Sequence, residues 1–249
     1  MRDAKSLSVL IPYYNEEKNL SALVDRICET DRHNKFLYIF IDDGSTDNSR
    51  ECLSSALKNT PLTYQLKNLE ENQGKSSAIR SSLELVDTSH FVILDADLEL
   101  DPWAIHLMWK IIEDGTASAV FGFRRFLSHS SFTYRYTLGN KFISNWFGIF
   151  FNVVHTDVMC GLKMLPTDLL KKEGLRLKKF AIEIEIPMIL WKHNIRVHEI
   201  EVDYRPRGWQ DGKVIGFSDA INILLLIAIK RISFSKKSLP GSSHAKEMS

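Results

Sequence analysis

Cysteine is scarce in this sequence. Cys28, Cys52 and Cys160 are the only three among 249 residues, and no C-x-x-C pair occurs. That excludes a disulfide framework and a thiolate metal cluster. Three small buried apolar side chains in a reducing compartment are the expectation. Long apolar runs are missing as well. A bilayer span needs ~20 residues, and the most apolar stretches, 142–154 and 221–229, are shorter, the first being broken by Asn145 and Asn152. The amino terminus, Met-Arg-Asp-Ala-Lys-Ser, has neither the apolar core nor the small-residue cleavage site of a secretion signal. A cytoplasmic chain is therefore expected, with membrane contact only peripheral, on the cytoplasmic face. Excess charge is nearly absent, with 32 Lys and Arg against 31 Asp and Glu, so bulk charge gives nucleic acid no support as a partner. After the first strand the chain reads Asn15-Glu16-Glu17-Lys18, without the G-x-G-x-x-G of a dinucleotide enzyme. The glycine-rich loop and basic signature of a sugar nucleotidyltransferase are also lacking there.

What is present alternates. Residues 7–14, 36–41, 63–67, 91–94 and 117–123 read as short β-branched strands. Residues 17–30, 47–57, 74–85 and 103–113 read as helices, with Leu20, Leu23, Val24 and Ile27 at helical spacing in the first. Alternation of this kind predicts βαβ units and a mostly parallel sheet with helices on its faces. The second half is less regular: helices over 132–154, 183–193 and 217–232, a strand over 196–204, and a disordered tail. The boundaries expected are a nucleotide-binding half at 1–105 and an acceptor half at 106–215 of the same domain. An amphipathic helix at 216–233 and the tail at 234–249 follow.

Ligands of such sheets bind at the carboxyl ends of the strands. Tyr14–Glu16, Asp42-Asp43, 72–75 and Asp95–Asp97 all fall there or open helices, so four segments deliver polar groups to one edge. In Leu94-Asp95-Ala96-Asp97-Leu98-Glu99, extended geometry places carboxylates at i and i+2 on one face. Two anions so placed call for a cation between them. Oxygen ligands suit Mg²⁺ or Mn²⁺, and Glu99 continues the series as a candidate third ligand. A polar loop ahead of Pro102 is the plainer alternative. Asp42 or Asp43 is placed to accept from a base or ribose, although Ser45, Thr46 or Asp47 as a helix cap also accounts for that turn. Gly74 permits close backbone approach, and Lys75 opens a helix where it can meet a phosphate.

The order Pro12-Tyr13-Tyr14-Asn15-Glu16, Asp42-Asp43-Gly44-Ser45-Thr46-Asp47, Asn72-Gln73-Gly74-Lys75 and Asp95-Ala96-Asp97 strongly resembles family 2 glycosyltransferases of the GT-A fold. The resemblance runs from about residue 7 to about 214. It implies that Tyr14 and Glu16 contact the nucleotide, that Asp42 or Asp43 holds base or ribose, and that Asp95 and Asp97 hold a metal–diphosphate. Within the family, Asp95–Glu99 is similar to the acidic motif of dolichyl- and polyprenyl-phosphate sugar synthases, which usually show Gln or another polar residue at the position of Glu99. Gly122-Phe123-Arg124, Arg135-x-x-x-Gly139-Asn140 and Thr156-Asp157-x-x-Cys160-Gly161-x-Lys163 resemble further segments of that group. So do Phe180-x-x-Glu183-Ile184-Glu185 and Tyr204-Arg205-Pro206-Arg207 followed by Lys213. In the last of these Gln210 and Gly212 replace the usual Gly and Ser.

The reaction so implied is an inverting displacement from a UDP- or GDP-sugar, with Arg207 and Lys213 neutralising the leaving diphosphate. A lipid phosphate acceptor would be positioned by Arg124 and Arg135. A saccharide hydroxyl would instead need Glu183 or Glu185 as base. A non-catalytic nucleotide-binding or scaffold subunit is the reading that intact Asp95, Asp97 and Glu183 argue against. A membrane-protein partner and a homo-oligomer are both compatible with the pattern.

Overall fold

A computed structural model describes residues 5–125, 134–176, 181–205 and 217–237, with backbone alone at 134–136, 217–219 and 234–237. Among these residues the chain forms a seven-stranded sheet in the order β3-β2-β1-β4-β6-β5-β7. The first half alternates β1 (Leu7–Tyr13), α1 (Glu17–Thr30), β2 (Leu37–Asp42), α2 (Ser49–Leu57), β3 (Thr63–Asn68), α3 (Lys75–Ser82), β4 (His90–Ile93) and α4 (Trp103–Glu113). Then come β5 (Ala119–Arg124), α5 (Tyr134–Phe151), β6 (Lys163–Pro166), α6 (Thr167–Glu173), α7 (Ile182–Lys192), β7 (Val197–Val202) and α8 (Phe217–Lys237).

Strands β1 to β4 pair in parallel, as do β5 and β7. Only β6 runs antiparallel to its neighbours, pairing Ile93 with Lys163 and Phe121 with Lys163. The mostly parallel α/β sheet expected from the alternation is thus present. Its antiparallel member and α6 were not anticipated: four residues beginning with Lys and ending with Pro carry no periodicity. The order reverses around β1, since the chain steps outward to β3 and returns to place β4 on the other side. That reversal opens the crevice beside the carboxyl ends of β1 and β4.

Side-chain alternation explains how the sheet is covered. Val9, Ile11 and Tyr13 of β1 face a core with Leu20, Leu23 and Ile27 of α1 and Met108 and Ile112 of α4. Leu10 faces the opposite core with Ile79 of α3 and Ile182, Ile186 and Ile189 of α7. Each such side chain, fully buried, stabilises the fold by about 1.5–3 kcal/mol before chain entropy is counted. A third cluster joins Ile143, Phe147 and Phe151 of α5 to Ile184 and Met188 of α7 and Ile223 and Ile227 of α8. Trp146 donates to the Leu224 carbonyl at 3.1 Å, and Arg231 donates to the Phe150 carbonyl at 2.9 Å while its guanidinium lies over the Trp191 ring. These contacts fix α8 along α5.

Candidate functional site

The carboxyl ends of β1, β2 and β3 are stitched together by backbone. Asp43 N donates to the Tyr13 carbonyl and Leu69 N to the Asp42 carbonyl, both at 2.9 Å. The Asp42 side chain, fully buried, accepts from Ser45 N at 2.9 Å and pairs with Arg50. Arg50 also donates to the Leu69 carbonyl at 3.1 Å. Asp43 accepts from Gln73 N at 3.0 Å and Gly74 N at 2.8 Å. The two acids proposed for base and ribose therefore also organise the turn and the loop before α3. Gly44 is required here: its φ is +72°, and a Cβ would lie 2.4 Å from the Glu71 carbonyl carbon. The helix after the turn begins at Ser49, where Asp47 accepts from the Ser49 amide at 3.1 Å. Tyr14 stands exposed at the end of β1, Pro12 is buried beside Ile41, and Glu16 accepts from Asn19.

Beside this platform lies a run of alternating charges from four elements. Lys75, the first residue of α3, places Nζ 2.6 Å from Asp95 Oδ1 and 2.9 Å from Glu183 Oε1. Lys163, at the start of β6, lies 2.7 Å from Glu183 Oε2. Lys163 is fully buried and also donates to the carbonyls of Val158, at 3.1 Å, and Cys160. Burial is the largest influence on the Glu183 carboxyl and pushes it up, yet Lys163 and then Lys75 hold it below the usual carboxylate range. Burial likewise works against the Lys75 ammonium, and Asp95 and Glu183 together still raise it above an ordinary lysine. Gly161 borders the cluster: a Cβ there would fall 2.5 Å from Asp95 Oδ2 and 3.0 Å from Lys75 Nζ. Sequence alone placed Lys75, Asp95 and Glu183 in the site. Gly161 and Lys163 entered only as members of the Thr156–Lys163 segment, on resemblance, with no individual role; a lysine opening the apolar stretch Lys163-Met-Leu was a signal that could have been used.

The three acids of the 95–99 segment do not converge. After β4 the chain leaves extended geometry, turning through Asp97 to Leu98, whose φ is +60°. Asp97 accepts from Glu99 N at 3.1 Å, and the Glu99 carboxylate accepts from Tyr204 OH at 2.8 Å. Among the described residues no group of three His, Cys, Asp or Glu side chains forms a metal cage, and the Glu99 side chain is engaged by Tyr204. Asp95 and Asp97 remain, with Ala96 buried between them. Mg²⁺ is commonly held by one or two carboxylates together with substrate phosphates rather than by an all-protein cage. Two carboxylates following a strand fit that ligand set.

Two other expectations meet competition. Arg124, buried, forms a bidentate pair with the fully buried Asp157, Nε to Oδ2 at 2.6 Å and Nη2 to Oδ1 at 3.0 Å. Its guanidinium lies over the Tyr204 ring. It thus ties the end of β5 to the loop before β6. Glu185 accepts from Arg176 N at 2.8 Å. The Arg135 side chain, Arg207 and Lys213 lie outside the described residues. Burial and Asp157 push the Cys160 thiol up to about 11. A separate cleft of about 600 Å³, lined by Lys5, His90, Arg196 and His198, opens at the opposite edge of the sheet, where β4, β5 and β7 begin.

The family model for glycosyl transferase family 2 matches residues 8–166, a span running from β1 through β6 that includes Asp42, Asp43, Lys75, Asp95 and Asp97. The chain belongs to glycosyl transferase family 2. Among curated relatives of this family, an uncharacterized protein of Methanocaldococcus jannaschii is 27% identical over 212 residues, 78% of this chain and 87% of its own length. An undecaprenyl-phosphate 4-deoxy-4-formamido-L-arabinose transferase of Serratia proteamaculans is 34% identical over 113 residues, 45% of this chain but 35% of that protein. A teichoic acid poly(glycerol phosphate) polymerase of Staphylococcus epidermidis is 35% identical over 99 residues, 40% of this chain. The match spans only 14% of that polymerase. Among solved structures, glucosyl-3-phosphoglycerate synthase of Mycobacterium tuberculosis, in complex with Mn²⁺, UDP and phosphoglyceric acid, superposes with a TM-score of 0.68. The likeness covers 96% of this chain and 81% of that one at 17% identity. The same synthase with Mg²⁺ and UDP gives 0.65. At such identity the likeness shows the fold, which is GT-A.

Proposed function

We propose that this family 2 glycosyltransferase moves a sugar from a UDP- or GDP-sugar to a polyprenyl phosphate with inversion at the anomeric carbon. Residues 1–105 form the donor half and 106–215 the acceptor half. The observation that carries the choice of acceptor is the state of Glu183. A sugar hydroxyl must lose its proton to a base, and an efficient base titrates near the working pH. Glu183 is held by two ammonium groups that lower its proton affinity, and Glu185 is engaged by a backbone amide. A phosphate monoester, with a second pKa of about 6, arrives largely ionised and needs no base. The likeness over 113 residues to an undecaprenyl-phosphate transferase agrees with this choice.

In this reading Asp95 and Asp97 hold Mg²⁺ or Mn²⁺, which stabilises the negative charge growing on the departing diphosphate. Tyr14 and Glu16 border the nucleotide, and Asp42 and Asp43 keep the base platform in shape. Lys75 adds positive charge beside Asp95, and Arg207 and Lys213 are proposed to close on the diphosphate. Arg135 remains the proposed contact for the acceptor phosphate, with Arg124 holding β5 in place.

A lipid acceptor requires a surface for its chain. Among the described residues no helix is long and apolar enough to cross a membrane. The described side chains at 137–151 and 220–233 include Lys141 and Lys230 and no Asp or Glu. Leu138, Phe142 and Ile149 of α5 and Leu225, Ile229 and Ile232 of α8 are exposed. Such a face suits peripheral contact with anionic headgroups, at about 1 kcal/mol per basic residue. The test is transfer by purified protein with UDP- and GDP-sugars, Mn²⁺ or Mg²⁺, and a short polyprenyl phosphate. Product linked to the lipid phosphate is the expected outcome; product linked to a saccharide hydroxyl, with the lipid ignored, would refute this acceptor.

A further inference from the structure

Lys75 occupies the side of Asp95 that a divalent cation would need. Its Nζ is 2.6 Å from Asp95 Oδ1, while the other carboxylate oxygen faces the backbone at Gly161, where no Cβ fits. The ammonium is anchored from behind by Glu183, whose second oxygen belongs to Lys163. We infer that Lys75 is a placeholder for the metal: it holds the Asp95 carboxylate until cation and nucleoside diphosphate bind together, and so makes their binding interdependent. This rests on the reading of Asp95 and Asp97 as the metal ligands.

Charge carries the argument. Asp95, Asp97 and Glu183 supply three negative charges, and Lys75 and Lys163 two positive ones. A divalent cation entering alone must break the Lys75–Asp95 pair and leaves this half-buried group with a net positive charge, which low local dielectric penalises. The same cation entering with a diphosphate brings anionic oxygens to which the displaced ammonium can turn while it keeps Glu183. Lys75 therefore opposes the metal and favours the diphosphate. Removing its charge shifts the two affinities in opposite directions, a signature that loss of structure does not produce. Linkage requires the coupling to be the same whichever ligand binds first.

The test is Mn²⁺ binding by calorimetry, without nucleotide and with saturating UDP or GDP. Wild type, Lys75→Met and Lys75→Arg are compared, with thermal melts to confirm folding; Lys75→Gln serves if the Met variant does not fold. Wild type is expected to bind Mn²⁺ weakly alone and about 10-fold or more tightly with nucleotide. Lys75→Met is expected to bind Mn²⁺ alone about 5-fold or more tightly than wild type, to bind nucleotide less well, and to lose most of the coupling. Lys75→Arg should keep the wild-type pattern. Unchanged or weaker Mn²⁺ binding by Lys75→Met, with metal-dependent nucleotide binding intact in wild type, overturns the placeholder alone. Absence of metal-dependent nucleotide binding in wild type overturns the reading of the site itself.

Discussion

Two pairs of carboxylates stand in this site, Asp42 and Asp43 at the end of β2 and Asp95 after β4 with Glu183 of α7, and they differ in what they are bonded to. Asp42 and Asp43 accept from backbone amides of Ser45, Gln73 and Gly74, and Arg50 pairs with Asp42. Asp95 and Glu183 are bonded instead to lysine ammoniums. A backbone amide cannot leave without unfolding its turn, so the first pair is scaffold first. An ammonium on a flexible stem can exchange its carboxylate for another anion, so the second pair can respond to a ligand. All four are carboxylates; bonding partner separates shape-holding from reactivity.

The largest test of that contrast is Lys163→Met, which leaves buried Glu183 with one ammonium fewer. Breaking a buried pair costs about 3–5 kcal/mol, a fall in Tm on the order of 10 °C for a chain of this size. Combining it with Glu183→Leu should recover most of the loss, since an apolar replacement of both partners is commonly close to neutral. Failure of the double variant to recover would show that Lys163 acts through the Val158 and Cys160 carbonyls rather than through Glu183.

A smaller effect is expected from Asp43→Ala. It orphans the amides of Gln73 and Gly74, at about 1–3 kcal/mol, and hydrogen exchange should speed at 72–75. If the loop keeps its protection, Asp43 is not scaffold, and the contrast fails from that side.

The mildest probe is pH. The Glu183 carboxyl is held below its ordinary range in the folded chain. It therefore binds protons more readily when unfolded, and its contribution is fully present above the unfolded pKa of about 4.3. That contribution is lost as pH falls through the lower folded value. Thermal melts between pH 7 and pH 3 should show wild type losing its margin over Glu183→Gln as pH drops; a constant margin would remove the ion pairs from the account.

The first half of the chain was legible because its periodicity is strong. The segments 17–30 and 103–113 fold as the helices their apolar spacing predicts. The strand ends also lie where the apolar runs stop, which is why Asp42, Lys75 and Asp95 could be placed in advance. Geometry inside turns was not legible. Leu98 adopts a left-handed conformation uncommon for leucine, and that one residue sends Glu99 to Tyr204 rather than to Asp97. Long-range pairing was equally hidden. Nothing local in Gly122-Phe123-Arg124 shows that Arg124 closes on Asp157, or that Lys163 reaches Glu183 across 20 positions.

Asp95 and Asp97 are proposed to form a metal–diphosphate site. That site is tested most directly by UDP- and GDP-sugar binding to wild type and Asp97→Asn, titrated with Mn²⁺. The account predicts that Mn²⁺ strengthens donor binding to wild type and that Asp97→Asn, folded by its melting curve, loses that gain by about a hundred-fold. Donor binding that is the same with and without Mn²⁺, and the same in both proteins, would contradict it.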